Sequence, residues 1–343
     1  MSSSSNKKRL ARIVAAAEEH FGAKVERATA PGGEGRSSFR LFFEDRAVIA
    51  TLRPNFRRTH LEAYVLGSLS QHCDETPECL GVAGEIMFQS DVGQKRLNRD
   101  IVRHDAARQK SLSAEAITSI FRIQNAARKT KLADMMPHLG VNTEWIENFV
   151  YGVNALEPYG NVSRYFDRNA ACEAVMVPAT QFVKWDCRSG NAAIDAAGKL
   201  RWFDFEYSGL RHGAEDIAWL IGDEAWPLNP DTMVDIVIDC FDPTCGHNLD
   251  DYLQYLSLYL TFHSIQRFQL IVKEAKKRGW LTKEKIRKYD DAGVHPDFAA
   301  HICRIGGYFA AQTKLTEPLV HNFEKAAAAF DAISLEDPLR KSA

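Results

Sequence analysis

Asp186 and Asn191 stand five residues apart in the polar stretch Val183-Lys-Trp-Asp-Cys-Arg-Ser-Gly-Asn191, and Asp204 follows thirteen residues later at the end of the apolar run 200–205. Phosphoryl transfer asks for such a set: a carboxylate near an acceptor hydroxyl, and hard oxygen ligands that hold magnesium against nucleotide phosphates. A tight loop that returns through a two-stranded ribbon brings three such groups to one edge. Each also has a plainer reading. Asp and Asn in loops commonly bond their own backbone. Asp204, between Phe203 and Phe205, can equally be a satisfied strand-end carboxylate, although an acid in that setting needs a partner.

The surrounding pattern supplies elements to position them. Residues 10–21 read as an amphipathic helix, and 39–43 with 47–52 as a hairpin turned at Glu44-Asp45-Arg46, opened by a glycine-rich stretch. Helical spacing returns at 60–70, strand character at 85–89, and a connector at 90–93. From about residue 110 the chain turns helical, with candidates at 114–131, 169–182 (interrupted by Pro178), 214–223, 230–241, 249–278 and 295–333. Between them lie the loop 184–191, a short strand at 192–194, a turn at 195–198 and the strand 200–205. Tyr252, Tyr255, Tyr259, Phe262 and Phe268 recur at helical spacing and read as core.

On these residues the chain resembles the aminoglycoside phosphotransferase and choline kinase-like family. The family signature runs His-Gly-Asp-x-x-x-x-Asn, then a strand pair ending in Asp-Phe/Trp-Glu/Gly, a Gly-rich turn and an Asp-Leu-Ala-like helix start. The matching residues are Asp186, Asn191, Asp204-Phe-Glu206 and Gly213-Ala-Glu-Asp216-Ile-Ala218. The resemblance implies that Asp186 is the catalytic base, that Asn191 and Asp204 are magnesium ligands, and that Asp216 braces the catalytic loop. Upstream, Gly32-Gly-Glu-Gly-Arg-Ser-Ser38, with Gly33 and Gly35, resembles the loop that positions the nucleotide. The strand 47–53 would end in the phosphate-binding cation, Arg53, with Glu62 as its acidic partner on the next helix. Gln89 to Val92 would be the hinge beside adenine.

Two positions depart from the pattern: Lys184 stands where the family has His, and Trp185 replaces a small residue. A lysine packed beneath the loop is expected to snorkel to solvent or to find a carboxylate. Glu206 is a secondary candidate metal ligand. Cys187, beside Asp186 and Arg188, is open to reading as an activated thiol. Asp223, Glu224, Trp226, Asp250 and Asp251 are of the types that a cationic acceptor requires.

Composition narrows the rest. With 43 Lys and Arg against 45 Asp and Glu, the net charge of -2 lacks the basic excess that nucleic-acid binding demands. No apolar run reaches the length of a membrane span. Seven cysteines without paired C-x-x-C spacing imply neither a zinc site nor a disulfide framework, so the cytoplasm is the default location.

The expectation is an α+β, bilobal protein-kinase-like fold: a small β-rich nucleotide-binding lobe over 1–90, a connector over 91–110 and a larger helical lobe over 111–343. The function expected is ATP- and magnesium-dependent phosphorylation of a small-molecule hydroxyl of aminoglycoside, amino alcohol or sugar type, with neither nucleic acid nor membrane as partner. The oligomeric state is open. A silent, nucleotide-binding relative with a regulatory or scaffolding role is the competing reading. A protein kinase is disfavoured, because about eleven residues between Asp204 and Glu215 leave little room for a peptide-displaying loop.

Overall fold

The computed structural model describes residues 3–31, 33 and 37–333. Two compact units make up the chain. One comprises Met1–Gly140, Val177–Leu220 and Asp231–Leu249; the other comprises Val141–Met176, Ile221–Pro230 and Asp250–Ala343.

The first unit carries a five-stranded antiparallel sheet in the order β1-β2-β3-β5-β4, with β1 Arg27–Thr29, β2 Ser38–Phe42, β3 Ala47–Thr51, β4 Cys79–Ala83 and β5 Ile86–Ser90. Period-two alternation decides its faces. Phe39, Leu41, Val48, Ala50, Ile86 and Phe88 point to one side, where helix α1 (Ser3–Phe21) buries Ile13 and Ala17 against them. The register puts Arg40, Ile49 and Gln89 abreast in neighbouring strands, so they share the opposite face. Helix α2 (Phe56–Leu69) starts where Asn55 Oδ1 accepts the Arg57 N–H at 3.1 Å, and it buries Glu62.

Five short strands frame the loops that matter for chemistry. β6 (Lys95–Arg96), β8 (Ala192–Ile194) and β9 (Leu200–Trp202) form one sheet, while β7 (Gln181–Val183) pairs with β10 (Gly209–Arg211). The β8–β9 turn is closed by Asp195, whose Oδ1 accepts the N–H groups of Ala197 and Lys199, both at 2.9 Å. Beneath the ribbon, helix Ala106–Arg128 receives the Trp202 indole N–H on Ser119 Oγ at 2.7 Å.

Three expectations need correction. The helix expected over 169–182 is helix Arg168–Val175 followed by β7, because Pro178 offers no N–H and the fully buried Gln181–Val183 is claimed by β10. The helix expected over 295–333 is Pro296–Ala310 and Val320–Asp331, separated by a turn in which Thr316 Oγ1 caps back to the Ala310 carbonyl at 2.9 Å. The strand expected to run to residue 205 stops at Trp202, since Asp204 takes a left-handed φ of 65°.

The second unit is helical. Its core forms on helix Leu249–Arg278, where Tyr252, Tyr259, Phe262 and Phe268 are almost fully buried. Glu224 is fixed there too: Arg267 donates to it twice, at 2.7 and 2.9 Å, and the Gly293 N–H donates at 2.7 Å.

Candidate active site

Arg53, two residues past the end of β3, is the centre of a four-residue charge network within the first unit. Its guanidinium pairs with Glu62 from α2, donates to Asp204 Oδ1 at 2.7 Å, and lies with Nε 3.0 Å from Glu206 Oε2. Glu62 also accepts the Phe205 N–H at 2.8 Å, so α2 holds the backbone next to Asp204. Burial works against the Arg53 charge, yet Glu62, Asp204 and Glu206 more than offset it and hold the guanidinium protonated beyond its ordinary range. Burial pushes the Glu62 carboxyl up, with Arg53 pulling against that. Glu206 is likewise raised by burial, opposed by Arg53.

Asp186 lies on the loop between β7 and β8. Its Oδ1 accepts from Arg188 Nε at 2.7 Å and its Oδ2 from Asn191 Nδ2 at 3.0 Å. The same Asn191 nitrogen donates to the Asp186 carbonyl at 3.0 Å, which leaves the amide oxygen as the atom able to ligate a cation. The loop is braced by Asp216: its Oδ2 accepts the Lys184 N–H at 2.9 Å and its Oδ1 the Trp185 N–H at 2.8 Å. Burial raises the Asp216 carboxyl to about 6, against these N–H donors and the Lys184 charge.

Lys184 contradicts what its type suggests. The side chain is 1% exposed, and its ammonium neither snorkels nor bonds a carboxylate. Nζ donates to the carbonyls of Asp186 at 3.2 Å and Asp204 at 3.0 Å, 5.2 Å from the Phe205 ring centre. Both carbonyls belong to residues with left-handed backbone, φ 54° and 65°. The cation thus ties the Asp186 loop to the Asp204 loop. Trp185 is also left-handed at φ 59°, a conformation that the Cβ of an L-residue makes unfavourable.

The structure therefore gathers Arg53, Glu62 and Asp204 into one network, and Asp186 with Asn191 into another, linked through Lys184. Gln89 lies on β5, 6% exposed, with Oε1 buried and without a hydrogen-bond partner among the described residues. Gly33 donates its N–H to Ala30 at 3.0 Å with φ 97°, and Gly35 lies outside the described residues. Cys187 is 1% exposed and burial drives its thiol well above the ordinary value, which removes the activated-thiol reading. Arg188 was not singled out by sequence reasoning. Its position two residues after Asp186 was the only signal.

Hard oxygen donors suit magnesium, and the Asn191 amide oxygen and the Asp204 carboxylate are donors of that type. Among the described residues no group of three or more His, Cys, Asp or Glu side chains could hold a metal.

No family model matches the sequence, and no curated protein does. Solved structures do match. The GDP complex of wild-type aminoglycoside 2'-phosphotransferase-IIIa aligns at a TM-score of 0.54 and 10% identity, over 84% of this chain and 98% of that one. The gentamicin complex of APH(2")-IIa aligns at 0.51 and 9% identity, over 83% and 97%. The chain has the α+β, bilobal protein-kinase-like fold that these phosphotransferases share.

Proposed function

We propose that this chain is an ATP- and magnesium-dependent phosphotransferase that moves the γ-phosphoryl group to a hydroxyl of a small molecule. The observation that carries the reading is the Lys184 clamp, which holds Asp186 and Asn191 beside Asp204 while Arg53 joins Asp204 to Glu62. Asp186 orients the acceptor hydroxyl and takes its proton. Arg53 steadies the phosphates, and Glu62 holds Arg53 in place. Asn191 and Asp204 would hold magnesium, whose charge would offset that of the phosphates. Residues 1–90 act as the nucleotide-binding lobe, with Gly33, Gly35 and Gln89 toward the nucleotide; 91–110 connect, and 111–343 form the helical lobe that receives the acceptor. Nucleic acid and membrane play no part in this reading, and the cytoplasm is the proposed location. Among the described residues no helix is long and apolar enough to cross a membrane.

The test is a pair of variants. Asp186→Asn should bind magnesium-ADP as the parent does and lose turnover by at least about a hundredfold, the scale of a positioned acid-base group. Asp204→Ala should also lose the magnesium-dependent part of ADP binding, read as a rise in melting temperature. A parent that shows no such rise at millimolar ADP with magnesium refutes the assignment.

A further inference from the structure

We propose that Arg188 makes the acceptor position selective for a hydroxyl compound bearing an anionic group, carboxylate or phosphate, close to the hydroxyl. The inference rests on the phosphotransferase reading and narrows its acceptor.

Arg188 lies against the group that would receive the hydroxyl: Nε is 2.7 Å from Asp186 Oδ1 and Nη2 is 3.4 Å from Oδ2. The side chains of this pair are 18% and 17% exposed, so a ligand that touches one meets the other. A carboxylate paired with a guanidinium has no net charge left to draw an ammonium. A guanidinium carries a permanent charge and a planar fork of donors that fits carboxylate and phosphate.

Of the side chains whose types suit a cationic pocket, Glu224 and Trp226 are taken up by pairing and packing within the second unit. Glu224 is held by Arg267 and the Gly293 N–H. Trp226 is 2% exposed, and Tyr252, Tyr255 and Tyr259 are buried, so these four rings offer no face to an ammonium. Asp250 and Asp251 occupy the first turn of helix Leu249–Arg278, where acids suit the helix dipole. Arg53 is turned toward three carboxylates and the Lys184 ammonium toward two main-chain carbonyls.

In the reaction the acceptor oxygen bonds to the γ-phosphorus of the nucleoside triphosphate as the bond to the bridging oxygen breaks. The hydroxyl proton passes to Asp186, and nucleoside diphosphate leaves with the electron pair.

Probes on one carbon skeleton isolate charge: glycerol, 3-amino-1,2-propanediol, glycerate and glycerol 3-phosphate, each assayed for phosphoryl transfer from magnesium-ATP. An anionic probe should exceed glycerol in kcat/KM by about tenfold or more, the worth of one charge-assisted hydrogen bond, with the amine poorest. The glycerate and phosphate arms tell which anion is read. Arg188→Gln should lower the anionic-to-neutral ratio by about tenfold, and Arg188→Lys, which keeps the charge, should retain most of it. Preference for the amine, no transfer to either anion, or an unchanged ratio in Arg188→Gln overturns the proposal. Magnesium-dependent ADP binding is measured on the same samples. A parent that binds ADP but fails these tests sinks the acceptor inference alone, whereas one that binds no nucleotide sinks the phosphotransferase reading with it.

Discussion

The buried ammonium of Lys184 donates to the main-chain carbonyl of Asp204, twenty residues further along, at 3.0 Å. A second bond, to the Asp186 carbonyl at 3.2 Å, completes a bridge between the two loops. Lys184→Met removes this donor from both carbonyls; the Asp186 carbonyl keeps Asn191 Nδ2 at 3.0 Å, while the loss at the Asp204 carbonyl should cost ~1–3 kcal/mol, the scale of a buried polar group deprived of its partner. It should lower the melting temperature, weaken magnesium-dependent ADP binding and cut turnover by well over tenfold. An imidazole reaches one of the two carbonyls, so Lys184→His should stay within about tenfold of the parent, roughly 1.4 kcal/mol of barrier. Equal turnover in Lys184→Met and the parent would show that the bridge has no role in positioning.

Asp216 gives the brace a pH dependence of definite sign. Its folded carboxyl titrates near 6, above the ordinary value of 3.8, chiefly through burial. A raised carboxyl means that the folded state holds the proton longer than the unfolded chain does. The group's stabilising contribution is therefore complete below pH 3.8 and is lost as pH rises through 6, by ~3 kcal/mol. Function should move the other way, because a protonated Asp216 accepts less well from the Lys184 and Trp185 N–H groups. Unfolding free energy of the parent relative to Asp216→Asn, measured from pH 4 to 7, should decline with pH. A flat difference would mean that Asp216 titrates at its ordinary value.

In the second unit, Glu224 and Arg267 form a bidentate buried pair, and Gly293 approaches so closely that any Cβ there would strike the Glu224 side chain. Glu224→Ala strands the Arg267 charge and should cost ~3–5 kcal/mol in urea unfolding. Replacing both partners together, Glu224→Leu with Arg267→Met, should recover most of that loss. If the double variant is no better than the single one, the pair is worth more than its mutual compensation.

Much of the frame was legible because side-chain pattern and backbone pattern coincide there. The β2–β3 hairpin followed from two β-rich runs on either side of the Glu44-Asp45-Arg46 turn, and helix Leu249–Arg278 from its aromatic spacing. β7 was not legible: three buried residues carry too few periods to be told from the helix before them. Nor was the break after Ala310, where Thr313, Thr316 and Pro318 form a turn inside an otherwise helical pattern. At the site, residue types announced Asp186, Asn191 and Asp204, but not how they are held. The three-carboxylate grip on Arg53 and the Lys184 bridge depend on residues up to 153 apart in sequence (Arg53 and Glu206) and on left-handed backbone that no side chain signals.

Trp185 tests that backbone directly. It is a half-buried tryptophan at φ 59°, fixed by its N–H to Asp216 at 2.8 Å and set against Trp219 with ring centres 6.3 Å apart. Left-handed backbone costs an L-residue roughly 1–2 kcal/mol, and glycine nothing. Truncation removes the indole contact in any variant, so Trp185→Ala and Trp185→Gly should both be less stable than the parent. They differ in one respect: alanine keeps the Cβ that makes φ 59° unfavourable. At an ordinary position alanine is the more stable of the two by ~0.5–1 kcal/mol, through the entropy of the unfolded chain. At 185 that order should reverse, with Trp185→Gly more stable than Trp185→Ala by ~1 kcal/mol. Turnover should follow the same order, since Asp186 inherits its placement from this residue. Thermal or urea unfolding of the two variants side by side decides the matter. Alanine ahead of glycine would mean that the chain holds residue 185 outside the left-handed region, and the positioning of Asp186 would need another account.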